Sequence, residues 1–255
     1  MRVFLALSIL PSWPHPSTDN VSLVSSQHQE SAGYGDPDVF YSDYYNRVIC
    51  SGGTGATAAK GLHRFIERGL RRQSFERVLE LGSGQGEHFP FVEHDFVEYT
   101  MLDVREVELL PEVKSDTRVK QVVGDASALP FEDEAFDRVL HVCLLHHVGN
   151  PEQVMTEVRR VLKPGGLATI FVSADPGMLN RIVRNLTTSK VAKRYGFHGY
   201  HLMIAREHRN HVAGLLEMLK WHFRQDVVKR AWYPFGIPSW NFNGGVVFRV
   251  VKSRE

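Results

Sequence analysis

Three glycines at alternate positions, Gly82, Gly84 and Gly86, follow directly on an apolar run in the stretch RVLELGSGQGEH. Glycine adopts turn conformations that other residues avoid, and it lets a ligand lie against bare main chain. Because a strand pattern precedes the glycines, we expect a sharp turn that leads from a strand into a helix. Many nucleotides and nucleosides could bind at such a turn, so the charges around it must decide between them.

Two carboxylates, Glu80 and Glu87, flank this glycine turn. In the dinucleotide-binding fingerprint a third glycine stands where Glu87 is found, and a carboxylate there would repel a pyrophosphate. The turn is also not followed by the Gly-Lys-Ser/Thr of a phosphate-binding loop. Two negative charges favour a ligand that carries an ammonium or sulfonium group. The pattern therefore predicts a positively charged nucleoside as the ligand.

Histidines are concentrated in the second half of the chain, and an imidazole can take a proton from a hydroxyl near neutral pH. We name His146, His201 and His208 as candidate general bases. His146 follows a predicted strand, His201 lies in a segment rich in basic residues, and His208 and His211 are predicted on consecutive turns of a later helix. Packing, helix capping or exposure to solvent is the alternative for each of them.

The elements that must position these residues follow from alternating patterns. Five strand-like runs, RVLEL, EYTMLDV, RVKQVVGD, FDRVLHV and LATIFVS, alternate with helical or turn segments, which predicts a parallel sheet with crossover helices. Before the fifth run, Asn150 can cap a helix whose apolar face carries Val154 and Val158, and KPGG ends it. Two last runs, QDVVKRAWYPF and NGGVVFRVVKS, predict an antiparallel hairpin that closes the sheet.

Length and charge limit the class of protein. A chain of 255 residues with a net charge of +1 fits one α/β domain and argues against a DNA partner. The two cysteines give no disulfide framework, so a reducing compartment, the cytoplasm, is expected. No apolar run approaches the length of a membrane span, and no membrane partner is expected. The predicted division is a disordered segment or an extension at 1–33 and one domain at 34–255, with a cap (34–72), a core (77–174), a lid and helix (175–224) and closing strands (225–255).

Taken together in this order, VLELGSGQGEH, EYTMLDV, GDASALPF, FDRVLHVCLLHHV and VRRVLKPGGLATIFV resemble the class I S-adenosylmethionine-dependent methyltransferases. The resemblance implies a Rossmann-like, seven-stranded, mostly parallel sheet with an antiparallel C-terminal hairpin and helices on both faces. It also implies S-adenosylmethionine as the cofactor, with Asp103 at the ribose hydroxyls and Asp125 at the adenine amino group. The full set of cofactor residues it implies is Tyr45, Glu80, Gly82, Ser83, Gly84, Gly86, Asp103, Val104, Asp125, Ala126, His141 and Val142.

Tyr45 belongs to an aromatic cluster before the core that could contact the sulfonium, although plain packing is the alternative. The amide- and amine-specific tetrapeptides NPPY and DPPY do not follow the fourth strand, and carboxylates for a metal site are not clustered there, so we predict no metal. We expect methylation of a small molecule, a secondary metabolite or a modified sugar, with O-methylation ahead of N- and C-methylation. An RNA methyltransferase and a non-catalytic cofactor-binding protein remain alternatives, RNA being less favoured by the near-neutral charge. A homo-oligomer is possible.

Overall fold

A mixed β-sheet forms the centre of the computed structural model, which describes residues 54–194 and 198–254. Within these residues the sheet has seven strands in the order β3-β2-β1-β4-β5-β7-β6. The first five strands are mutually parallel, and β7 is antiparallel to both β5 and β6. The strands are β1 (Ser74–Leu81), β2 (Asp95–Asp103), β3 (Val119–Val123), β4 (Phe136–Val142), β5 (Leu162–Ser173), β6 (Val227–Tyr233) and β7 (Gly245–Val251). The predicted fold class and closing hairpin are confirmed.

Helices cover both faces of this sheet. They are α1 (Thr54–Glu67), α2 (Pro111–Lys114), α3 (Pro151–Val161), α4 (Met178–Leu186), α5 (Thr188–Arg194), α6 (Tyr200–Glu207) and α7 (Val212–His222), with 3-10 turns at Phe89–Phe91 and Leu144–His146. On one face, α3 and α7 bury their apolar stripes against β4, β5 and β7. On the other face, Ile66 of α1 packs against Phe171 and Val247. Burial of apolar surface on both faces explains why the central strands read as nearly continuous apolar runs.

Helix α3 forms as its sequence predicts. The Asn150 side chain accepts a hydrogen bond from the backbone N–H of Gln153 at 3.1 Å, and Val154 and Val158 are buried. The helix ends at Val161, but β5 already begins at Leu162, so KPGG lies within the strand and not before it. The register of β4 and β5 shifts across this segment, and Gly165 has a φ of +79°. Gly165 adopts this positive φ without strain, so β5 continues through the register shift.

The helix expected after the glycine turn is absent, and that prediction is wrong. Residues 84–88 form turns, followed only by the 3-10 turn Phe89–Phe91, before β2 begins at Asp95. Gly84 and Gly86 have φ values of +54° and +89°, which an α-helix does not accept. Pro90 has no N–H to donate to a helical bond. The turn therefore presents loop amides and no helix N-terminus.

Residues 175–224, predicted to form a lid and a helix, are mostly helical, and we use "lid" below only as a name for residues 175–194 and 198–211. Three short helices, α4 to α6, precede α7, in which the predicted apolar residues Leu215 and Leu219 are buried. His208 and His211 were predicted on one helix, but His208 follows the last residue of α6 and His211 precedes α7. Asn210 lies between the two helices and donates hydrogen bonds to the carbonyls of Leu145 and Val148 at 2.9 and 2.8 Å. These bonds stabilise the non-helical connection between α6 and α7.

A fully buried ion pair joins α1 to the sheet. Glu67 Oε1 lies 2.5 Å from Arg138 Nη2, and both side chains have no exposed surface. His88, which follows the glycine turn, lies with Nε2 2.9 Å from the same Glu67 oxygen, and Arg138 also contacts His94. Burial alone would raise the pKa of Glu67, but the hydrogen bond from His88 and the charge of Arg138 lower this pKa to about 2. The Glu67 carboxylate is therefore ionised, and it joins the end of α1 to β4 and to the segment at His88.

Some predictions fall on residues 1–53, 195–197 and 255, which lie outside the described part of the chain. They are the extension at 1–33, most of the cap at 34–72 and the cofactor contact of Tyr45.

Replacing Glu67 with Gln should strongly destabilise the protein. Arg138 would then be buried without a counter-charge, which costs about 3–5 kcal/mol in the free energy of unfolding. Urea denaturation measures this loss. Glu217→Gln is the matched control, because Glu217 forms an exposed pair with Lys220 and should change little. Equal unfolding midpoints for the two variants would contradict the anchoring role of Glu67.

Candidate functional site

A cavity of about 870 Å³ lies at the carboxyl ends of β1 to β4. Strand order reverses between β1 and β4, and open α/β sheets bind their ligands at such a point. The volume falls within the range of about 300–1,000 Å³ that is usual for small-molecule sites. The sheet side is lined by Gly82, Gly84, Glu87, Leu102, Asp103, Val104, Asp125, Ala126, Val142 and Cys143, and the lid side by Arg184, Tyr200, Ile204, Glu207 and His208.

Asp103, at the end of β2, ties the glycine turn to the sheet. One of its oxygens, Oδ2, accepts a hydrogen bond from the backbone N–H of Gly84 at 3.1 Å. The other, Oδ1, accepts one from the backbone N–H of Arg105, also at 3.1 Å. Each carboxylate oxygen can accept a further hydrogen bond, so Asp103 can still bind ligand hydroxyls.

Glu87 fills the concavity of the turn. The backbone N–H groups of Gln85, Gly86 and Glu87 itself interact with its carboxylate, which lies against Gly84. Such convergent amides bind anions, and here the protein supplies the anion. Burial raises the pKa of Glu87, and the nearby Asp103 adds to this effect. A ligand phosphate would have to displace this carboxylate, so the structure supports the argument against dinucleotides.

Asp125 and Ala126 follow β3 at the edge of the cavity. The Asp125 carboxylate accepts hydrogen bonds from the Ser127 backbone N–H and hydroxyl, both at 2.8 Å. These bonds lower the pKa of Asp125, so it is ionised at neutral pH. Both bonds use Oδ1, which leaves Oδ2 for a ligand donor. The side chain of Ala126 is buried beside it.

Four of the predicted cofactor residues, Glu80, Ser83, Gly86 and His141, do not line the cavity. Glu80 is buried and accepts a hydrogen bond from the Tyr99 hydroxyl at 2.7 Å, and burial raises its pKa. A Cβ atom at Gly86 would lie 2.9 Å from Val113, so this glycine allows close packing beneath the turn. His141 precedes Val142 on β4, and alternation along the strand puts Val142 at the cavity and His141 in the core.

The lid contributes an Asp–His pair that sequence reasoning missed. His208 Nδ1 lies 2.5 Å from Asp175 Oδ2, and Arg184 Nη2 lies 3.1 Å from Asp175 Oδ1. Burial opposes ionisation of Asp175, but the hydrogen bond from His208 and the charge of Arg184 lower its pKa to about 2. Asp175 stands just after β5, as Asp103 stands at the end of β2, and that position was the signal available in the sequence.

The three histidines predicted as bases lie in different surroundings. Only His208 lines the cavity. His146 is buried, stacks on His208 with ring centroids 5.2 Å apart, and has Nδ1 2.7 Å from the Asn210 carbonyl. His201 is exposed, with Nε2 3.1 Å from the Ser189 hydroxyl. The structure thus brings His146 and His208 together and places His201 apart.

Neither a metal site nor a membrane span is found among the described residues. Within 54–194 and 198–254, no three or more His, Cys, Asp or Glu side chains are grouped so as to hold a metal ion. No helix in the same ranges is long and apolar enough to cross a bilayer.

Residues 79–170 match a family model described as a methyltransferase domain. A fatty-acid O-methyltransferase of Mycolicibacterium smegmatis is 37% identical over 105 residues, 40% of this chain and 38% of that protein. A ubiquinone/menaquinone biosynthesis C-methyltransferase of an Enterobacter species is 28% identical over 208 residues, 73% of this chain and 79% of that protein. The chain spans less than two thirds of the length of three curated relatives. It spans 38% of the fatty-acid O-methyltransferase and 65% and 42% of two further methyltransferases.

Solved structures share the fold. A protein from Pyrococcus horikoshii superposes with a TM-score of 0.59 at 19% sequence identity, covering 84% of this chain and 98% of the other. The likeness covers a larger share of the chain than the family model does, and it concerns the fold alone.

Replacing His141 with Leu should stabilise the protein. Both imidazole nitrogens are buried without a hydrogen-bond partner among the described residues, and an unsatisfied buried polar group costs about 1–3 kcal/mol. Burial lowers the pKa of His141 to about 3, from 6.5 in an unfolded chain. Protonation thus favours the unfolded state, and stability present above pH 6.5 is lost as the pH falls towards 3.

The variant should therefore gain stability at pH 7 and gain more at pH 5, as measured by thermal denaturation at both values. A lower melting temperature, or a weakened affinity for the cofactor, would show that His141 serves the site and is not a strained core residue.

Proposed function

We propose that the chain is a class I S-adenosylmethionine-dependent methyltransferase, which the methyltransferase-domain match and the methyltransferase relatives support, and that it methylates a hydroxyl-bearing small molecule within the cavity of the candidate site. The observation that carries this proposal is the position of the Asp175–His208 pair on the lid side of that cavity, facing the ends of β1 to β4. Family membership accounts for the donor, and the pair accounts for an acceptor that has to lose a proton.

The described residues fit the cofactor in charge and shape. The Glu87 side chain occupies the turn amides, so these amides are not open to a phosphate, and the Asp103 carboxylate beside them favours a positively charged sulfonium compound. Asp103 offers carboxylate lone pairs to the ribose hydroxyls, and Asp125 offers Oδ2 to the adenine amino group. Val104, Ala126 and Val142 supply apolar walls. When bound, the cofactor supplies an electrophilic methyl group on a positively charged sulfur.

His208 is the proposed base. A carboxylate only accepts hydrogen bonds, so His208 Nδ1 carries the proton of the bond to Asp175, and in the neutral imidazole the lone pair is on Nε2. Nε2 would take the proton of the acceptor hydroxyl as the oxygen attacks the methyl carbon in line with the leaving sulfur. Asp175, held ionised by Arg184, would stabilise the imidazolium that results.

The acceptor is proposed to have an apolar part. The cavity walls include Leu144 and Val148 on the sheet side and Tyr200 and Ile204 on the lid side. One relative is named a fatty-acid O-methyltransferase and another a ubiquinone/menaquinone biosynthesis C-methyltransferase. These observations support an amphiphilic acceptor in preference to a sugar, and they keep O-methylation first while leaving C-methylation as the second candidate.

Binding of S-adenosylmethionine should weaken when the glycine turn is altered. Gly84 has a φ of +54°, and a Cβ atom there would lie 2.8 Å from a Glu87 oxygen. Gly84→Ala should weaken the affinity for S-adenosylmethionine at least about tenfold, equivalent to about 1.4 kcal/mol, in isothermal calorimetry. Gly214→Ala is the matched control, because no atom lies within 4 Å of the added Cβ and Gly214 belongs to α7. Binding of NAD in place of S-adenosylmethionine would refute the cofactor assignment.

Turnover should depend on His208 while cofactor binding should not. His208→Asn should lower kcat about 10²- to 10⁴-fold, the usual contribution of a general base. The assay follows formation of S-adenosylhomocysteine with long-chain alcohols and hydroquinones as acceptors, because a fatty acid is already ionised at neutral pH and needs no base. His222→Asn serves as the control, because His222 lies outside the cavity beside Glu152. Unchanged turnover of the His208 variant, at the same cofactor affinity, would reject the assignment of the base.

A further inference from the structure

Helix α4 is amphipathic, but its apolar face points outwards. Met178, Ile182 and Leu186 recur every fourth residue, and their side chains are 49%, 47% and 61% exposed. Val183 beside them is also exposed. Residues at this spacing share one side of a helix, so they form a continuous stripe. In a water-soluble surface helix this stripe would normally face the core.

The inward face of α4 carries polar residues instead. Asn180 donates hydrogen bonds to the Ser173 hydroxyl and the Gly244 carbonyl, both at 3.1 Å. Arg184, one turn later, reaches Asp175 and the cavity. These contacts fix the rotation of the helix about its axis. The polar contacts of Asn180 and Arg184 therefore keep the apolar stripe exposed.

The connection between β6 and β7 extends the apolar stripe. The backbone N–H of Leu179 donates to the carbonyl of Asn241 at 3.0 Å, so the start of α4 lies against this connection. The flanking residues Trp240 and Phe242 are exposed, as are Phe235 and Ile237 of the same connection. We call the whole surface the apolar ridge: Met178, Ile182, Val183, Leu186, Phe235, Ile237, Trp240 and Phe242.

The chain segments that carry the apolar ridge are rich in basic residues. Residues 176–209 contain seven Lys or Arg and one acidic residue, and residues 227–244 contain two basic residues and no acidic one, while the net charge of the chain is only +1. Arg181, Lys190 and Lys193 of this region are exposed. Positive charge is thus concentrated in the segments that carry the apolar ridge.

We propose that the apolar ridge docks on the surface of an anionic lipid bilayer. Exposed aliphatic and aromatic side chains flanked by Lys and Arg are the combination that binds an interface, since the apolar groups enter the acyl boundary and the bases meet the headgroups. A second copy of the chain is less suited, because a symmetric contact through the ridge would bring the two basic segments together.

Docking would also bring lipid close to the cavity. The ridge and Arg184 lie on opposite sides of α4, so a bilayer on the ridge would be separated from the cavity by one helix, about 10 Å across. This consequence rests on the proposed methylation of an amphiphile, whereas docking itself does not. The sequence predicted no membrane partner because the apolar residues are scattered through residues 178–242 and form no long apolar run.

Vesicle binding by the full chain tests the proposal. The protein should sediment with vesicles of phosphatidylcholine and phosphatidylglycerol, sediment less with phosphatidylcholine alone, and be released by salt. Phe235→Glu should lower the affinity for the mixed vesicles about tenfold, the effect of losing one buried aromatic side chain. Trp221→Glu is the matched control, because Trp221 and Phe235 are both 63% exposed and Trp221 lies on α7, outside the ridge. Ile182→Glu tests the helical part of the ridge in the same way.

Equal vesicle affinities for wild type and the two ridge variants, or no binding of the wild type to either lipid, would overturn the proposal. So would a wild-type dimer in sedimentation velocity that Phe235→Glu converts to monomer, since the ridge would then bind a second copy. S-adenosylmethionine binding is measured on the same preparations. Normal cofactor binding without vesicle binding refutes docking alone, and vesicle binding without cofactor binding refutes the proposed function alone.

Discussion

The ion pair between Glu67 and Arg138 is the constraint on which the rest of the structure depends. Two charges without exposed surface have to satisfy each other, so the end of α1 can take only one position on β4. His88 shares the Glu67 carboxylate, which extends the constraint to the segment after the glycine turn. Since β1 and β4 flank the point where strand order reverses, the ion pair indirectly positions both sides of the cavity.

Carboxylates also decide what the cavity can hold. Asp103 and Glu87 both bind backbone amides of the glycine turn, and those amides would bind phosphate in a dinucleotide site. The same interactions stabilise the turn without a following helix and leave negative charge facing the ligand. The interactions that hold the turn together therefore also favour a sulfonium cofactor over a pyrophosphate.

Helix α4 links the chemistry of the site to the outer surface. Its inward face supplies Arg184, which keeps Asp175 ionised beside His208, and its outward face carries half of the apolar ridge. The polar face of α4 therefore points towards the cavity, and its apolar face points away from it. A rotation that buried the apolar stripe would remove Arg184 from Asp175, so the Arg184–Asp175 contact and the exposure of the ridge are coupled.

Local patterns in the sequence determined the strands of the sheet, the capped helix α3, the closing hairpin and the acidic residues at strand ends, because side-chain periodicity and turn chemistry act over a few residues. Asp103, Asp125 and the glycine turn could be located for the same reason. Tertiary structure alone decided that Glu80 and His141 face the core, that Asp175 pairs with His208, and that α4 turns its apolar face outwards. Each of these depends on which surfaces meet across distant segments, and a side chain's neighbours across such distances are fixed only when the whole sheet and its lid have packed.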